Sequence, residues 1–181
     1  MNTSLLLICI FAGAGVLAGC GEREQPSAVR ADAASMAKLR QVDPDANRLL
    51  SGGLNEFRRR LAAARGRPIV VNQWASWCGP CRFEFPFLQR QALKLRGRVA
   101  FLGVNSKDNA DAAKRFLAQY PTPYPHIDDP DAKIARSFGG GRAWPTTAFY
   151  DARGKVAFVH QGAYASEAML AKDIERYALG D

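Results

Sequence analysis

The chain has 181 residues, of which 48% are hydrophobic and 23% charged, an ordinary composition for one compact domain with short appendages. Disorder throughout is excluded, and a second large domain is not expected. A formal charge of +8, from 25 Lys and Arg against 17 Asp and Glu, permits acidic partners such as phospholipid headgroups without identifying one.

Leu5 to Ala18 is uncharged, apolar and rich in Gly and Ala, and it is shorter than the ~20 residues that span a bilayer comfortably. It reads as the core of a signal peptide. It runs into Leu17-Ala18-Gly19-Cys20, which resembles the lipobox of bacterial lipoproteins, in which the cysteine is lipidated before cleavage. That resemblance implies a signal peptide over 1–19 and attachment to the lipid membrane through Cys20. Several acyl chains on one cysteine anchor stably, since each buried methylene contributes ~0.8 kcal/mol and one chain alone is marginal. An uncleaved hydrophobic anchor, with Cys20 an incidental small residue, is the alternative. Both readings put the domain outside the cytoplasm. Met1 to Ser4 carries no Lys or Arg, although an exported leader normally begins positive, so the precursor is expected to start upstream of Met1. With Cys9 removed and Cys20 lipidated, Cys78 and Cys81 are the pair remaining from four cysteines.

Residues 20–45 mix Glu, Arg, Gln, Pro, Ser and Ala without a clear apolar period and read as a flexible tether, with a short helix at about Ala33 to Arg40. The domain is expected over 46–181. Leu54, Phe57 and Leu61 recur at helical spacing, and Gly66 with Pro68 ends the pattern, which predicts a helix over Leu54 to Arg65. Its basic residues, with Arg65 and Arg67, read as a solvated face in preference to a binding patch, and no nucleic-acid partner is expected. Ile69 to Trp74 is a buried strand by length and β-branching. Phe83, Phe87, Leu88, Ala92 and Leu95 then keep helical spacing, and Val99 to Val104 is a second buried strand. A helix is predicted over Asp108 to Gln119, a Pro-rich break over Tyr120 to Pro125, a short strand at His126 and Ile127, and a brief helix over Asp131 to Phe138. After the loop Gly139 to Gly141, Thr146 to Tyr150 and Lys155 to His160 form an antiparallel hairpin. Ser166 caps a last helix to about Leu179, with Ala168, Met169, Ala171, Ile174 and Leu179 among its apolar positions. Alternating strands and helices predict an α/β sheet covered on both faces.

Trp77-Cys78-Gly79-Pro80-Cys81 sits where a strand passes into a helix. Cys78 lies by the unsatisfied N–H groups and positive dipole end, which favour its thiolate. Cys81 follows nearly one turn later, within reach of a disulfide. Pro80 suits the first turn because its missing N–H has no partner to lose, and Gly79 keeps the approach to Cys78 open. Cys78 is thus the attacking thiol and Cys81 the resolving one.

Val71-Asn72-Gln73-Trp74-Ala75-Ser76-Trp77-Cys78-Gly79-Pro80-Cys81 resembles the active-site stretch of extracytoplasmic thioredoxin-like proteins of the TlpA/ResA type. The resemblance extends through Arg82 to Pro86, where the family carries an acid and then a helix-kinking proline, and through Trp144-Pro145-Thr146-Thr147. It covers most of Arg67 to Leu179. It implies a thioredoxin fold: a central mixed sheet flanked by helices, with a helix-strand insertion at about Asp108 to Pro130, between the CxxC helix and the cis-proline. Pro145 is that cis-proline, facing the disulfide, and the Trp144 backbone pairs with an extended substrate segment. Glu84 becomes a partly buried acid that tunes thiol pKa or moves protons, where otherwise it is a plain surface glutamate. Asn72 replaces the buried aspartate of cytoplasmic thioredoxins, so proton handling shifts to Glu84. Trp77 and Trp144, otherwise core aromatics, flank a substrate-facing surface. The sequence departs from the many relatives that open with a β-hairpin after the tether, since here a helix is predicted.

The implied activity is thiol:disulfide exchange at the outer face of the cytoplasmic membrane, reducing disulfides of exported proteins and serving cytochrome c maturation. Partners are exported cysteine-containing proteins and an electron-supplying membrane thiol protein; the chain is expected to be a monomer without cofactor or metal. The Gly-Pro pair between the cysteines resembles reducing thioredoxin, at ~−270 mV, more than a strong oxidant, at ~−120 mV. A dithiol oxidase of DsbA/DsbE type is the alternative direction. A zinc site lacks ligands beyond His126 and His160. A copper chaperone wants wider cysteine spacing, a peroxidase wants its cysteine in a Pro/Thr-containing loop, and Gly139 to Gly141 lacks phosphate-loop context. A binding module with a static disulfide stays open.

Overall fold

The computed structural model describes residues 43–180, together with Ala37 and Arg40, both helical and exposed. The apolar leader, Cys20 and the remainder of the tether lie outside the described residues. Twelve elements follow in order: β1 (Leu49–Leu50), α1 (Gly53–Ala63), β2 (Ile69–Trp74), α2 (Gly79–Lys94), β3 (Ala100–Ser106), α3 (Ala110–Gln119), β4 (His126–Asp129), α4 (Lys133–Ser137), β5 (Thr146–Tyr150), β6 (Val156–Gln161), α5 (Glu167–Asp173) and a π-helical continuation over Ile174–Leu179.

The strands form one mixed sheet in the order β1-β4-β3-β2-β5-β6. β2 is central, parallel to β3 and antiparallel to β5, which is why all six of its residues are buried. Successive strand side chains point to opposite faces. Ile69 and Val71 therefore join Phe57, Ile134 and Phe138 in the core under α1 and α4. Val70 meets Leu88, Phe149 and Leu170 under α2 and α5, and Trp74 joins Phe85, Phe116 and both cysteines between α2 and α3. Burying one such side chain contributes about 1.5–3 kcal/mol, so both faces of β2 are held by several apolar groups each.

This is the thioredoxin fold expected from the resemblance, with α3 and β4 as the helix-strand insertion between α2 and β5. Local capping explains small shifts of boundary. Asn109, not Asp108, caps α3, accepting the N–H groups of Asp111 and Ala112; Ser166 caps α5 as expected, accepting from the Met169 N–H. β1 has no counterpart among the elements predicted from sequence, because two residues carry no periodic signal; it pairs parallel with β4 at the sheet edge. Phe83 and Met169, placed on apolar stripes by spacing, are exposed, and Phe83 packs edge-on against Phe87.

Candidate active site

β2 ends at Trp74, and the chain turns through Ala75, Ser76 and Trp77 into α2. Cys78 is the N-cap of that helix, in extended conformation, and its Sγ accepts the Cys81 N–H at 3.1 Å. Cys78 and Cys81 are joined by a disulfide with Cα atoms 5.3 Å apart. Cys81 is wholly buried, whereas Cys78 sits beneath an exposed rim of Trp77, Gly79 and Pro80. When the bond opens, the helix dipole and the Cys81 N–H both favour charge on the Cys78 sulfur.

Glu84 stands three residues after Cys81, so the two share one face of α2. The partly buried acid expected at this position is in fact fully buried. One carboxylate oxygen accepts the Asn72 Nδ2–H at 2.7 Å and the other accepts the Tyr164 N–H at 3.0 Å. Burial outweighs both bonds and pushes the carboxyl up to about 7. Asn72, paired with Thr147 in the β2/β5 register, also donates to Thr147 Oγ1 at 3.0 Å. Both amide protons of Asn72 are thereby committed.

The loop before Cys78 is clamped from the insertion. Asp108 accepts the Ser76 N–H at 2.5 Å, the Ser76 hydroxyl at 2.8 Å and the Asn105 Nδ2–H at 2.8 Å. Trp77 donates its indole N–H to the Lys107 carbonyl at 2.9 Å and leaves 58% of its surface exposed. Its ring lies 5.6 Å from that of Trp144, which is half-buried and packs against the cluster containing both cysteines. The Trp144-Pro145 bond is cis and Pro145 is buried.

Beneath the loop, Trp74 donates its indole N–H to His126 Nδ1 at 3.0 Å, and His126 Nε2 lies 2.8 Å from Thr122 Oγ1, whose hydroxyl reaches the Tyr124 carbonyl at 2.9 Å. His126 therefore acts as acceptor on one nitrogen and donor on the other, a neutral ring, and burial pushes its pKa down to about 3. In the sequence Thr147 enters only as the end of the Trp144 to Thr147 motif and His126 only as a strand residue and zinc-ligand candidate, while Asp108 and the Tyr164 N–H have no place in the site; Asp108, an acid two residues after the β3 strand, carries a local signal that reads as a helix start. His160, weighed as a metal ligand, stacks on Tyr164 with ring centroids 4.0 Å apart. Among the described residues no cluster of three or more His, Cys, Asp or Glu is placed to hold a metal ion.

Fold and site together define a class: a thioredoxin-fold protein with a CxxC disulfide at the head of the helix that follows its central strand, opposite a cis-proline loop. The chain belongs to the Redoxin family, whose model matches residues 42–174. It is 32% identical over 165 residues to the thiol:disulfide interchange protein DsbE homolog of Paracoccus denitrificans, covering 90% of this chain and 86% of that protein. It is 41% identical over 96 residues to the thiol:disulfide interchange protein DsbE of Pseudomonas fluorescens biotype C, covering 52% of each. With the DsbE proteins of Xylella fastidiosa the match also spans about half the relative's length. Among solved structures, a secreted Mycobacterium tuberculosis disulfide oxidoreductase homologous to E. coli DsbE superposes with a TM-score of 0.56 at 26% identity, covering 62% of this chain and 84% of that one.

Proposed function

We propose that this chain is an extracytoplasmic, membrane-tethered thiol:disulfide oxidoreductase that reduces disulfides of exported proteins, including those handled in cytochrome c maturation. The observation that carries the reading is the Cys78–Cys81 disulfide with Cys78 at the N-cap of α2 and Cys81 buried behind it. The DsbE relatives, named as interchange proteins, support the same chemistry.

In the reducing direction the Cys78 thiolate attacks one sulfur of a client disulfide. That bond breaks, a Cys78–client mixed disulfide forms, and the displaced client sulfur leaves as a thiolate that takes up a proton. Cys81 then loses its proton and attacks Cys78 Sγ, which releases the second client thiol and regenerates the Cys78–Cys81 disulfide. Two electrons pass to the client, and an electron-supplying membrane thiol protein restores the dithiol. Glu84, on the Cys81 face of the helix and poised near neutrality, takes the Cys81 proton. Asn72 holds Glu84, while Gly79 and Pro80 leave Cys78 open to approach. Trp77, Trp144 and Pro145 form the surface on which an extended client segment lies. The division into a leader over 1–19, a lipidated tether over 20–45 and a domain over 46–181 belongs to the same reading. No helix among the described residues is long and apolar enough to cross a membrane; the tether of this reading is the lipidated Cys20 that the lipobox resemblance implies.

A Cys81→Ser variant tests the proposal: it should accumulate mixed disulfides on Cys78 when incubated with envelope proteins, and Cys78→Ser should accumulate none. A wild-type disulfide that resists dithiothreitol and does not exchange with glutathione would instead mark a static bridge.

A further inference from the structure

The end of the sheet opposite the cysteines carries a repeated element. Ile69 opens β2 and is flanked in register by Ala100 of β3 and Tyr150 of β5. The α1–β2 loop, the α2–β3 loop and the β5–β6 turn therefore meet at one pole. They touch directly: the Gly66 N–H donates to the Ala152 carbonyl at 3.0 Å and the Ala100 N–H to the Pro68 carbonyl at 2.9 Å. Each of the three carries a cation-Gly-cation triplet: Arg65-Gly66-Arg67, Arg96-Gly97-Arg98 and Arg153-Gly154-Lys155. All three glycines are left-handed, with φ of 89°, 82° and 82°, and no heavy atom lies within 4 Å of where a Cβ would stand. They are turn tips facing open space.

All six flanking cations are exposed. Among the described residues, ion pairing touches this set once, between Arg153 and Asp151; Arg65, Arg67, Arg96 and Arg98 make none. A solvated helix face would scatter such charges or pair them at helical spacing, as Glu56 pairs with Arg59 and Arg60 on α1. Here they converge from three separate loops. Asp43, which follows directly on the N-terminal segment in the chain, lines a groove of about 180 Å³ at this pole together with Arg67, Arg96 and Gly97. The N-terminal segment thus joins the domain at its basic end.

We propose that the three triplets form a docking surface for an anionic phospholipid bilayer, on which the domain stands with Cys78 and Cys81 turned away. Charge complementarity and the entry point of the preceding chain both select a membrane over a soluble polyanion. The six residues of β2 separate the poles by roughly 20 Å. The redox site then sits about two Debye lengths from the headgroups, beyond their field and open to clients from the aqueous side. The surface is independent of the thiol chemistry, and loss of exchange activity would leave it standing.

The test uses the full chain with vesicles of phosphatidylcholine alone and of phosphatidylcholine with phosphatidylglycerol, so that apolar attachment is common to both. Binding should be stronger on the anionic vesicles and fall with salt. Removing Arg65, Arg67, Arg96 and Arg98 together as glutamines should weaken that preference by roughly 600-fold, since each cation near the surface contributes roughly fivefold and the four multiply. Replacing Lys114, Arg115, Lys133 and Arg136 with glutamine lowers the formal charge equally, from +8 by 4 to +4, and should preserve it. Hydrogen exchange of the bound wild-type chain should slow at residues 65–67, 96–98 and 153–155 and not at 76–80. Equal binding to both vesicles, equal loss in the two variants, or protection centred on 76–80 would each overturn the proposal, the first and last without any variant.

Discussion

Replacing Glu84 with glutamine removes the one buried acid beside the cysteines and makes its ionisation measurable as stability. Its carboxyl is raised from 4.5 to about 7 by burial. The difference of about 2.5 pH units, at ~1.36 kcal/mol each, corresponds to about 3 kcal/mol. Between pH 4.5 and 7 the native state holds this proton and the unfolded chain releases it. Stability therefore falls as pH rises through that window and levels off above it. The substituted glutamine carries no such penalty, but its amide puts a donor opposite either the Asn72 Nδ2–H or the Tyr164 N–H, at a cost of roughly 1–3 kcal/mol. Glu84→Gln should thus be less stable than wild type by about 1–3 kcal/mol at pH 4, and the deficit should close or reverse at pH 8. Urea denaturation of both oxidised proteins from pH 4 to 8 gives the difference curve, which cancels every other titrating group. Parallel stability curves would show that Glu84 ionises in the ordinary carboxylate range and would sink its assignment as the proton acceptor. The exchange rate should lose an inflection near pH 7 in the same variant.

His126 titrates with the opposite sign: its folded pKa of about 3 lies below the ordinary 6.5, so its contribution is present above pH 6.5 and lost on acidification. In the Glu84→Gln background stability should drop by about 3 kcal/mol from pH 6.5 to 4.5, at ~1.36 kcal/mol per unit; a flat curve would mean that His126 accepts a proton in place. Asp108→Ala releases the Ser76 N–H and hydroxyl together and should cost about 2–4 kcal/mol, with charge-assisted bonds worth ~1.5–3 kcal/mol each and non-additive. The Ser76 amide should then lose hydrogen-exchange protection and thiol exchange should change rate, with Asp108→Asn intermediate; unchanged protection would remove the clamp. Gly103→Ala would bring a Cβ to 1.9 Å from His126 Nδ1, and because strand and ring are both packed the loss should reach ~3 kcal/mol or abolish soluble expression. A soluble Gly103→Ala protein with wild-type urea midpoint would contradict that contact.

The features that the sequence made legible are those written in local pattern. The β-branched run Ile69 to Val71, the cap Ser166 and the turn at Asp151 to Gly154 each specify their own conformation, and each appears where expected. The cysteine pair is local in the same sense. What stayed hidden is joined across distance: Asp108 reaches Ser76 over 32 positions, Tyr164 reaches Glu84 over 80, and His126 reaches Trp74 over 52. No spacing rule connects such residues, since the sheet order β4-β3-β2-β5 brings them together only after folding. The basic triplets escape sequence reasoning for the same cause. Arg65 and Arg67 look like the tail of a helix face until the α2–β3 and β5–β6 loops place four more cations beside them.

Asn72 and Glu84 show why the buried site holds one titratable proton and not two. Asn72 faces Glu84 from β2 with an amide whose two donors go to the carboxylate and to Thr147, so its orientation is fixed. An aspartate there would place two carboxyls in contact, both without solvent, and one would be held protonated throughout the neutral range. With an amide, the full swing of ionisation falls on Glu84 alone, and burial sets it close to the pH at which a thiol proton must be accepted and returned. Ionising that acid costs the fold about 3 kcal/mol, which the apolar faces of β2 can carry because each is packed by several buried side chains. In the proposed reaction that destabilised carboxylate is the base available to Cys81, one turn away on the same face of α2.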